Sequence, residues 1–279
     1  MFESLISSLE QSACAVSTPQ SFKGFLASQG LQTSKRTPEI ISINGLSDLQ
    51  PELRENSYTI LRLGKPADDK TTQFSLVKLA SLSDGFFLDQ PIFDSAIISN
   101  FIPETSLRSL YPYHLLPKLT ESSLLNLALS SGILAEALNI DPGINLEFAA
   151  GGNTSYTFDF HPLSTSPIAV RHNRGQVEID SMFVARRQGQ ECLFVIEAKV
   201  GVGDRSLAKQ KLLYPALGLR DLAPDWLVVV PVYLRIIKDG TDNYVFNVAE
   251  CTNLHPGSSV NLDTLTTLNV CRNRLVIPS

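Results

Sequence analysis

The sequence predicts an α/β protein, and three observations carry that expectation. Leu193-Phe194-Val195-Ile196 is an uninterrupted apolar run that continues into Glu197-Ala198-Lys199, the composition of a buried strand. Gln176-Val177-Glu178-Ile179-Asp180 alternates polar and apolar, the period of a half-buried strand. From Leu119 to Val248 such segments are interleaved with helical patterns, in the order helix, strands, helix, strands.

Taken in order, Leu5 to Val16 and Phe22 to Ala27 read as short helices separated by Ser17-Thr18-Pro19, a stop and cap. Glu39 to Ile43 reads as a strand closed by Asn44-Gly45, and Tyr58 to Leu63 and Phe74 to Leu79 read as two more around a loop at 64–69. Helices followed by strands suggest a small winged-helix-like module. Tyr111-Pro112-Tyr113-His114 through Pro117 marks a boundary, giving an N-terminal α+β region, 1–115, and a second domain, 116–279. In the second, leucines at helical spacing run from Leu119 to Leu138 and stop at Asp141-Pro142-Gly143. Leu146 to Ala149 and Tyr156 to Phe160 flank Gly151-Gly152-Asn153, a hairpin signal. Val177 to Arg186 and Leu193 to Lys199 form a second hairpin about Gln188-Gly189-Gln190. A helix from Ser206 to Leu217 follows, and strands at Trp226 to Ile237 and Tyr244 to Val248 finish the sheet.

The chemistry concentrates in the second hairpin. Side chains alternate along a strand, so Val195, Glu197 and Lys199 share one face. Burying unpaired charge costs several kcal/mol, roughly, so these charges need partners. The competing reading is a pair of half-exposed strands whose charges face water and pair across the hairpin. Asp180, Glu197 and Lys199 together suggest a metal site beside a cation. Mg²⁺ takes oxygen ligands and is often held by only one or two carboxylates. Glu178 shares a face with Asp180, either as a further acid or to orient Lys199. Glu121, Glu136 and Glu147 are alternatives for another acid. Gly201-Val202-Gly203-Asp204 lacks the glycine-lysine-serine ending of a phosphate loop and reads as a turn.

This pattern resembles the PD-(D/E)xK nuclease superfamily, and within it the type II restriction endonucleases. There an acid ends one strand and (D/E)-x-K lies on the next; here these are Asp180 and Glu197-x-Lys199, with Ile179 where the motif's proline stands. Gln210 and Tyr214, four apart on the following helix, look like a variant of a glutamine–tyrosine element found in part of the superfamily. The likeness covers residues 171–218. It implies a restriction-endonuclease-like core, a mixed sheet flanked by helices in which the carboxylates meet where two strands diverge. It further implies Mg²⁺, with Mn²⁺ as a substitute, on Asp180, Glu197 and the Ala198 carbonyl. Lys199 would position the attacking water, and Gln210 would hold Lys199 or a phosphate. The implied activity is hydrolysis of double-stranded DNA by a homodimer, with a companion methyltransferase acting on the same site. A repair or structure-selective nuclease, or a non-catalytic DNA-binding protein on this fold, are the alternatives. A glycosidase reading of the paired acids is disfavoured by Lys199 beside Glu197 and by the lack of an aromatic cluster near either acid.

Charge distribution bears on the partner. The net charge is −5, yet residues 168–220 hold nine Lys/Arg against five acids. A basic stretch on an acidic body can steer a phosphate backbone. Arg171, His172, Arg174, Lys209 and Lys211 are the expected phosphate contacts, although a solvated face explains any one of them alone. His114, His161 and His255 sit near prolines and form no metal set. The four cysteines, at 14, 192, 251 and 271, are too scattered for metal spacing or a disulfide framework. The longest apolar run, Trp226 to Leu234, falls short of a membrane span and contains Pro231. Glu3 and Glu10 replace the basic start of a secretory signal, so none is expected; without a disulfide framework the cytoplasm is the expected compartment, and no membrane partner is expected.

Overall fold

The computed structural model describes residues 1–31, 37–67, 71–103, 107–113, 115–143, 146, 149–240 and 243–276. Among them are twelve strands: β1 (Gln20–Ser21), β2 (Tyr58–Gly64), β3 (Gln73–Lys78), β4 (Phe86–Leu88), β5 (Ile98–Phe101), β6 (Ala150–Phe160), β7 (Val170–Arg187), β8 (Gln190–Val200), β9 (Ser206–Ala208), β10 (Val228–Asp239), β11 (Asn243–Cys251) and β12 (Thr267–Val276). Ten form one mixed sheet in the order β1-β3-β2-β7-β8-β10-β11-β12-β5, with β6 also paired to β7; β4 and β9 form a separate ribbon. The protein is thus α/β, a large mixed sheet flanked by helices.

The hairpin at the centre follows from its turn. Gln188 and Gly189 both take positive φ, 53° and 80°, the geometry whose twist matches flanking strands. The antiparallel register then runs from Arg187↔Gln190 to Ser181↔Ile196. β8 pairs in parallel with β10, from Val228↔Cys192 to Ile236↔Val200, and the helix Gln210–Arg220 makes the crossover such pairing requires. β10, β11 and β12 continue as antiparallel neighbours.

Alternation along β8 divides the core between the two sheet faces. Val195 belongs with Phe22, Phe74, Leu213, Leu217 and Tyr233 on one side. Phe194, Ile196 and Ala198 belong with Leu124, Leu127, Leu134 and Val232 on the other. At about 25 cal/mol per Å² of apolar surface removed from water, such clusters are the main favourable term in folding.

Several sequence expectations need correcting. Glu39-Ile40-Ile41 falls in a helix, Thr37–Ile41, that buries both isoleucines; a short apolar run does not separate helix from strand. The leucine-rich helix is two, Glu121–Ser130 and Ile133–Ala137, broken where Gly132 adopts φ 85°. Gly151-Gly152-Asn153 lies inside β6 and is no turn: a Cβ at Gly151 would meet the Asp180 carbonyl oxygen at 2.5 Å, so glycine lets β6 press against β7. Ser206–Ala208 is β9 rather than the first turn of a helix, which begins at Gln210. β2 and β3 do not form a wing of their own. They extend the central sheet through the single pair Gly64↔Asn173, while β5 joins its other edge beside β12. Strands from both sides of residue 115 therefore share one sheet. Part of the strand expected at Leu146 to Ala149, together with Glu147 and His114, lies outside the described residues. Among the described residues no helix is long and apolar enough to cross a membrane.

Candidate active site

β7 and β8 separate after Ser181↔Ile196, and the expected residues gather in that fork. The pairing of β6 with β7 also shifts there, from Ala150↔Met182 to Gly152↔Ile179, a bulge that re-aims the chain at Asp180. The Ala198 amide has lost its strand partner, and Asp180 Oδ2 accepts its hydrogen bond at 2.7 Å. Asp180 thereby ties the two strands together at the point where the ladder ends.

Glu197 is the buried member: its side chain is 2% exposed. Its Oε1 lies 2.8 Å from Lys199 Nζ and 3.6 Å from Lys211 Nζ. Its Oε2 has no hydrogen-bond partner among the described residues. Burial pushes this carboxyl up to about 7, against the downward pull of Lys211 and Lys199, and the neighbouring Asp180 adds to the rise. Lys199 shows the opposite balance. Burial draws its pKa down, but Glu197, with Asp180 and Glu121, outweighs burial and leaves it raised. It therefore stands as an ammonium, donating to the Ala198 carbonyl at 2.8 Å.

Two neighbours complete the cluster. Glu121 opens the helix Glu121–Ser130, whose entry is set by Thr120 Oγ1 accepting from the Ser123 amide at 3.1 Å. Its pKa is raised by burial and by Asp180 and Glu178, and lowered by Lys199 and Lys211, so the helix N-terminus faces the fork. Lys211 bridges Glu197 and the exposed Glu178, the latter at 3.7 Å. The sequence offered Lys211 only as a phosphate contact; its place on the face of the helix toward β8 needed the crossover geometry.

The other expected residues are placed elsewhere. Gln210 does not reach Lys199; its Nε2 donates to the Ile43 carbonyl at 3.2 Å. His172 is buried, stacked on Phe158 with ring centroids 4.8 Å apart, and burial lowers its pKa to about 4, so it is neutral and away from solvent. Lys209 is also buried, donating to the Leu262 carbonyl at 3.0 Å, and burial lowers it to about 8. Neither presents a charge to a phosphate backbone. Arg171 and Arg174 are exposed, Arg171 in an ion pair with Asp159. Glu136 is exposed on its helix. The four cysteines are free.

Among the described residues no group of three or more His, Cys, Asp or Glu side chains is arranged to hold a metal. The fork nevertheless has the donors a hard cation uses with few protein ligands: Asp180, Glu197 with its unsatisfied Oε2, and the Ala198 carbonyl. All are oxygens, which suits Mg²⁺ better than a softer ion. The Lys199 ammonium already sits against two of the three, so the donors are shaped around positive charge.

Fold and site define an α/β protein whose mixed sheet splits around two carboxylates, Asp180 and the buried Glu197, and two lysines. A family model described as a domain of unknown function, DUF6997, matches residues 95–262, and the chain belongs to that family. The match spans Glu121, Asp180, Glu197, Lys199 and Lys211. No curated protein and no solved structure matches the chain.

Proposed function

We propose that this protein is a Mg²⁺-dependent endodeoxyribonuclease with a restriction-endonuclease-like core, acting as a sequence-specific type II restriction enzyme. The observation that carries the reading is the meeting of Asp180, Glu197 and Lys199 at the fork, with a Glu197 oxygen buried and unsatisfied. Asp180, Glu197 and the Ala198 carbonyl hold the cation, and Mn²⁺ substitutes for Mg²⁺. Bound there, the cation supplies a Lewis acid for the phosphate and makes water a nucleophile near neutral pH. Lys199, being protonated, orients the attacking water and offsets charge growing on the phosphate; it does not take the proton. Lys211 holds Glu197 toward its ionised form, and Glu178 steadies Lys211 from the solvent side. Arg171 and Arg174 remain available to the DNA backbone, whereas His172 and Lys209 are not.

Cutting both strands of a palindrome calls for two symmetric sites, hence a homodimer, with a methyltransferase protecting the same sequence in the host DNA. The test is digestion of a large unmethylated DNA with Mg²⁺, beside EDTA and Lys199→Ala controls. Discrete bands lost in both controls are the expected result. A smear points to a repair or processing nuclease. Cleavage by Lys199→Ala at the wild-type rate overturns the assignment, and a clean monomer by sedimentation, with and without DNA, overturns the dimer.

A further inference from the structure

A cavity of about 110 Å³ lies beside the fork, several times the ~10–15 Å³ that one water needs, and the chemistry above leaves it unused. Its walls are Arg62 and Gly64 of β2, His172 and Gly175 to Glu178 of β7, and Gln210, Lys211 and Tyr214 of the crossover helix. Glycine makes this meeting possible. A Cβ at Gly64, where φ is +77°, would meet the Asn173 carbonyl oxygen at 2.2 Å, and one at Gly175 would run into the His172 ring at 2.1 Å. β2 therefore presses on β7 and carries Arg62 to the cavity wall.

The lining holds polar groups with no hydrogen-bond partner among the described residues. Tyr214 is 6% exposed and Gln210 7%, yet the Tyr214 hydroxyl and Gln210 Oε1 are buried without a hydrogen bond. The bond from Gln210 Nε2 to the Ile43 carbonyl fixes which end of the amide is free. Arg62 donates from Nη1 to Ser42 Oγ at 2.9 Å and pairs with no carboxylate among the described residues. Buried polar atoms in native proteins are almost always satisfied, so two such groups beside an arginine without a carboxylate point to a ligand.

Their chemistry selects its class. The phosphodiester of a DNA backbone answers Arg62 and Tyr214 but has no hydrogen to offer Gln210 Oε1, which can only accept. A nucleobase offers both, through ring nitrogens and carbonyls that accept and ring N–H or amino groups that donate. Guanine joins two acceptors, N7 and O6, the pair that arginine meets in bidentate fashion, to donors on its adjoining edge. We infer that this cavity receives an unpaired guanine base from the DNA held at the neighbouring fork. Arg62 and Tyr214 would donate to it and Gln210 would accept. As a statement about DNA the inference rests on the nuclease reading, although the pocket itself does not. Enzymes that read or act on single bases turn them out of the stack in this way.

Calorimetric titration of the metal-free protein with each of the four deoxynucleosides, and separately with inorganic phosphate, tests the pocket without any cleavage. Deoxyguanosine should bind at one site, and phosphate should not displace it. Tyr214→Phe should weaken binding about tenfold, the loss of one hydrogen bond, while unfolding no more easily than wild type because its hydroxyl bonds nothing among the described residues. Arg62→Met should weaken it further. Displacement by phosphate, wild-type affinity in both variants, or no nucleoside bound by folded protein would each overturn the inference. Protein that binds deoxyguanosine but cuts no DNA would instead overturn the nuclease reading, and the converse would overturn the pocket. Duplex and single-stranded oligonucleotides carrying a fluorescent guanine analogue, dark when stacked, separate the two sources. Brightening of the duplex marks a base turned out of the helix, brightening of the single strand alone marks a loose end, and brightening of neither contradicts the proposal.

Discussion

Replacing Glu197 by glutamine should make the metal-free protein more stable, and the gain should depend on pH in a way the site dictates. The carboxyl ordinarily titrates at 4.5 and in the folded protein is pushed up to about 7, chiefly by burial. Between those values the unfolded chain gives up the proton while the folded one keeps it. Folded protein then binds more protons than unfolded, so stability falls as pH rises through this window and levels off above it. A separation of this size corresponds to about 3 kcal/mol at about pH 8, since one pKa unit is worth ~1.4 kcal/mol. Glutamine keeps the shape and never ionises, so Glu197→Gln should escape that loss. Urea unfolding of both proteins from about pH 5 to pH 8 measures it: the two should converge at the acid end and separate by about 3 kcal/mol at the alkaline end. If glutamine brought no gain at about pH 8, the Lys199 and Lys211 ammoniums would be compensating the buried charge fully, and the account of a carboxylate held for function at the expense of stability would fail.

Four further outcomes follow from the same geometry. Mg²⁺ should stabilise the wild-type protein by about 2.7 kcal/mol at a hundredfold excess over Kd, raising its unfolding midpoint, and leave Glu197→Gln unmoved; calorimetry without DNA reads this directly. Lys211, with Lys199, pulls Glu197 down, so Lys211→Met should move the Glu197 titration to higher pH in the metal-free protein, visible by carboxyl-labelled NMR. Gly64→Ala should destabilise the fold by about 2 kcal/mol or more, because alanine pays for the positive φ and its methyl meets the Asn173 carbonyl where β2 joins β7; an unchanged unfolding midpoint would count against that contact. Arg187 grips the buried Glu250 through two bonds of 2.8 and 2.9 Å, so Arg187→Met should cost about 3 kcal/mol by denaturant titration, the Glu250 charge being left without its cation.

What could be read from the sequence was the part governed by local pattern. The alternation of Gln176 to Asp180, the apolar run before Glu197 and the Gln188-Gly189 turn place β8 and the part of β7 paired with it, and bring Asp180 to the end of that ladder, beside Glu197 and Ala198. Other features depended on tertiary context. Lys209 and His172 look like surface cations because their residue types usually are, but Lys209 packs against Phe87 and the Leu262 carbonyl, and His172 lies against Phe158 of β6 and Tyr214 of the crossover helix. Gly151-Gly152 reads as a turn because glycine permits turns, whereas here it permits the close approach of two strands. β5 and β12 carry polar residues such as Ser99, Asn100, Asn269 and Asn273, so neither shows the apolar signature of a strand. The Arg62 wall of the cavity could not be foreseen at all, since it joins residues more than a hundred positions apart across a single strand pair.

The fork also explains why structure and chemistry should be hard to separate at Asp180. Where β7 leaves β8, the sheet has a free amide at Ala198 and a free carbonyl on the same residue, and both would be costly to bury unsatisfied. Asp180 answers the amide and Lys199 answers the carbonyl, so the residues proposed to run the reaction are also those that close the end of the ladder. Removing either should therefore disturb both. Asp180→Asn is the discriminating change: its side-chain oxygen can still accept from the Ala198 amide, so the fold should survive, while the lost negative charge should weaken Mg²⁺ binding sharply. Asp180→Ala should lose the metal and about 1–3 kcal/mol of stability as well, the cost of leaving that amide without a partner. If asparagine and alanine proved equally stable, the 2.7 Å bond to Ala198 would contribute nothing to holding the fork, and the placing of Glu197 would have to come from its own strand alone.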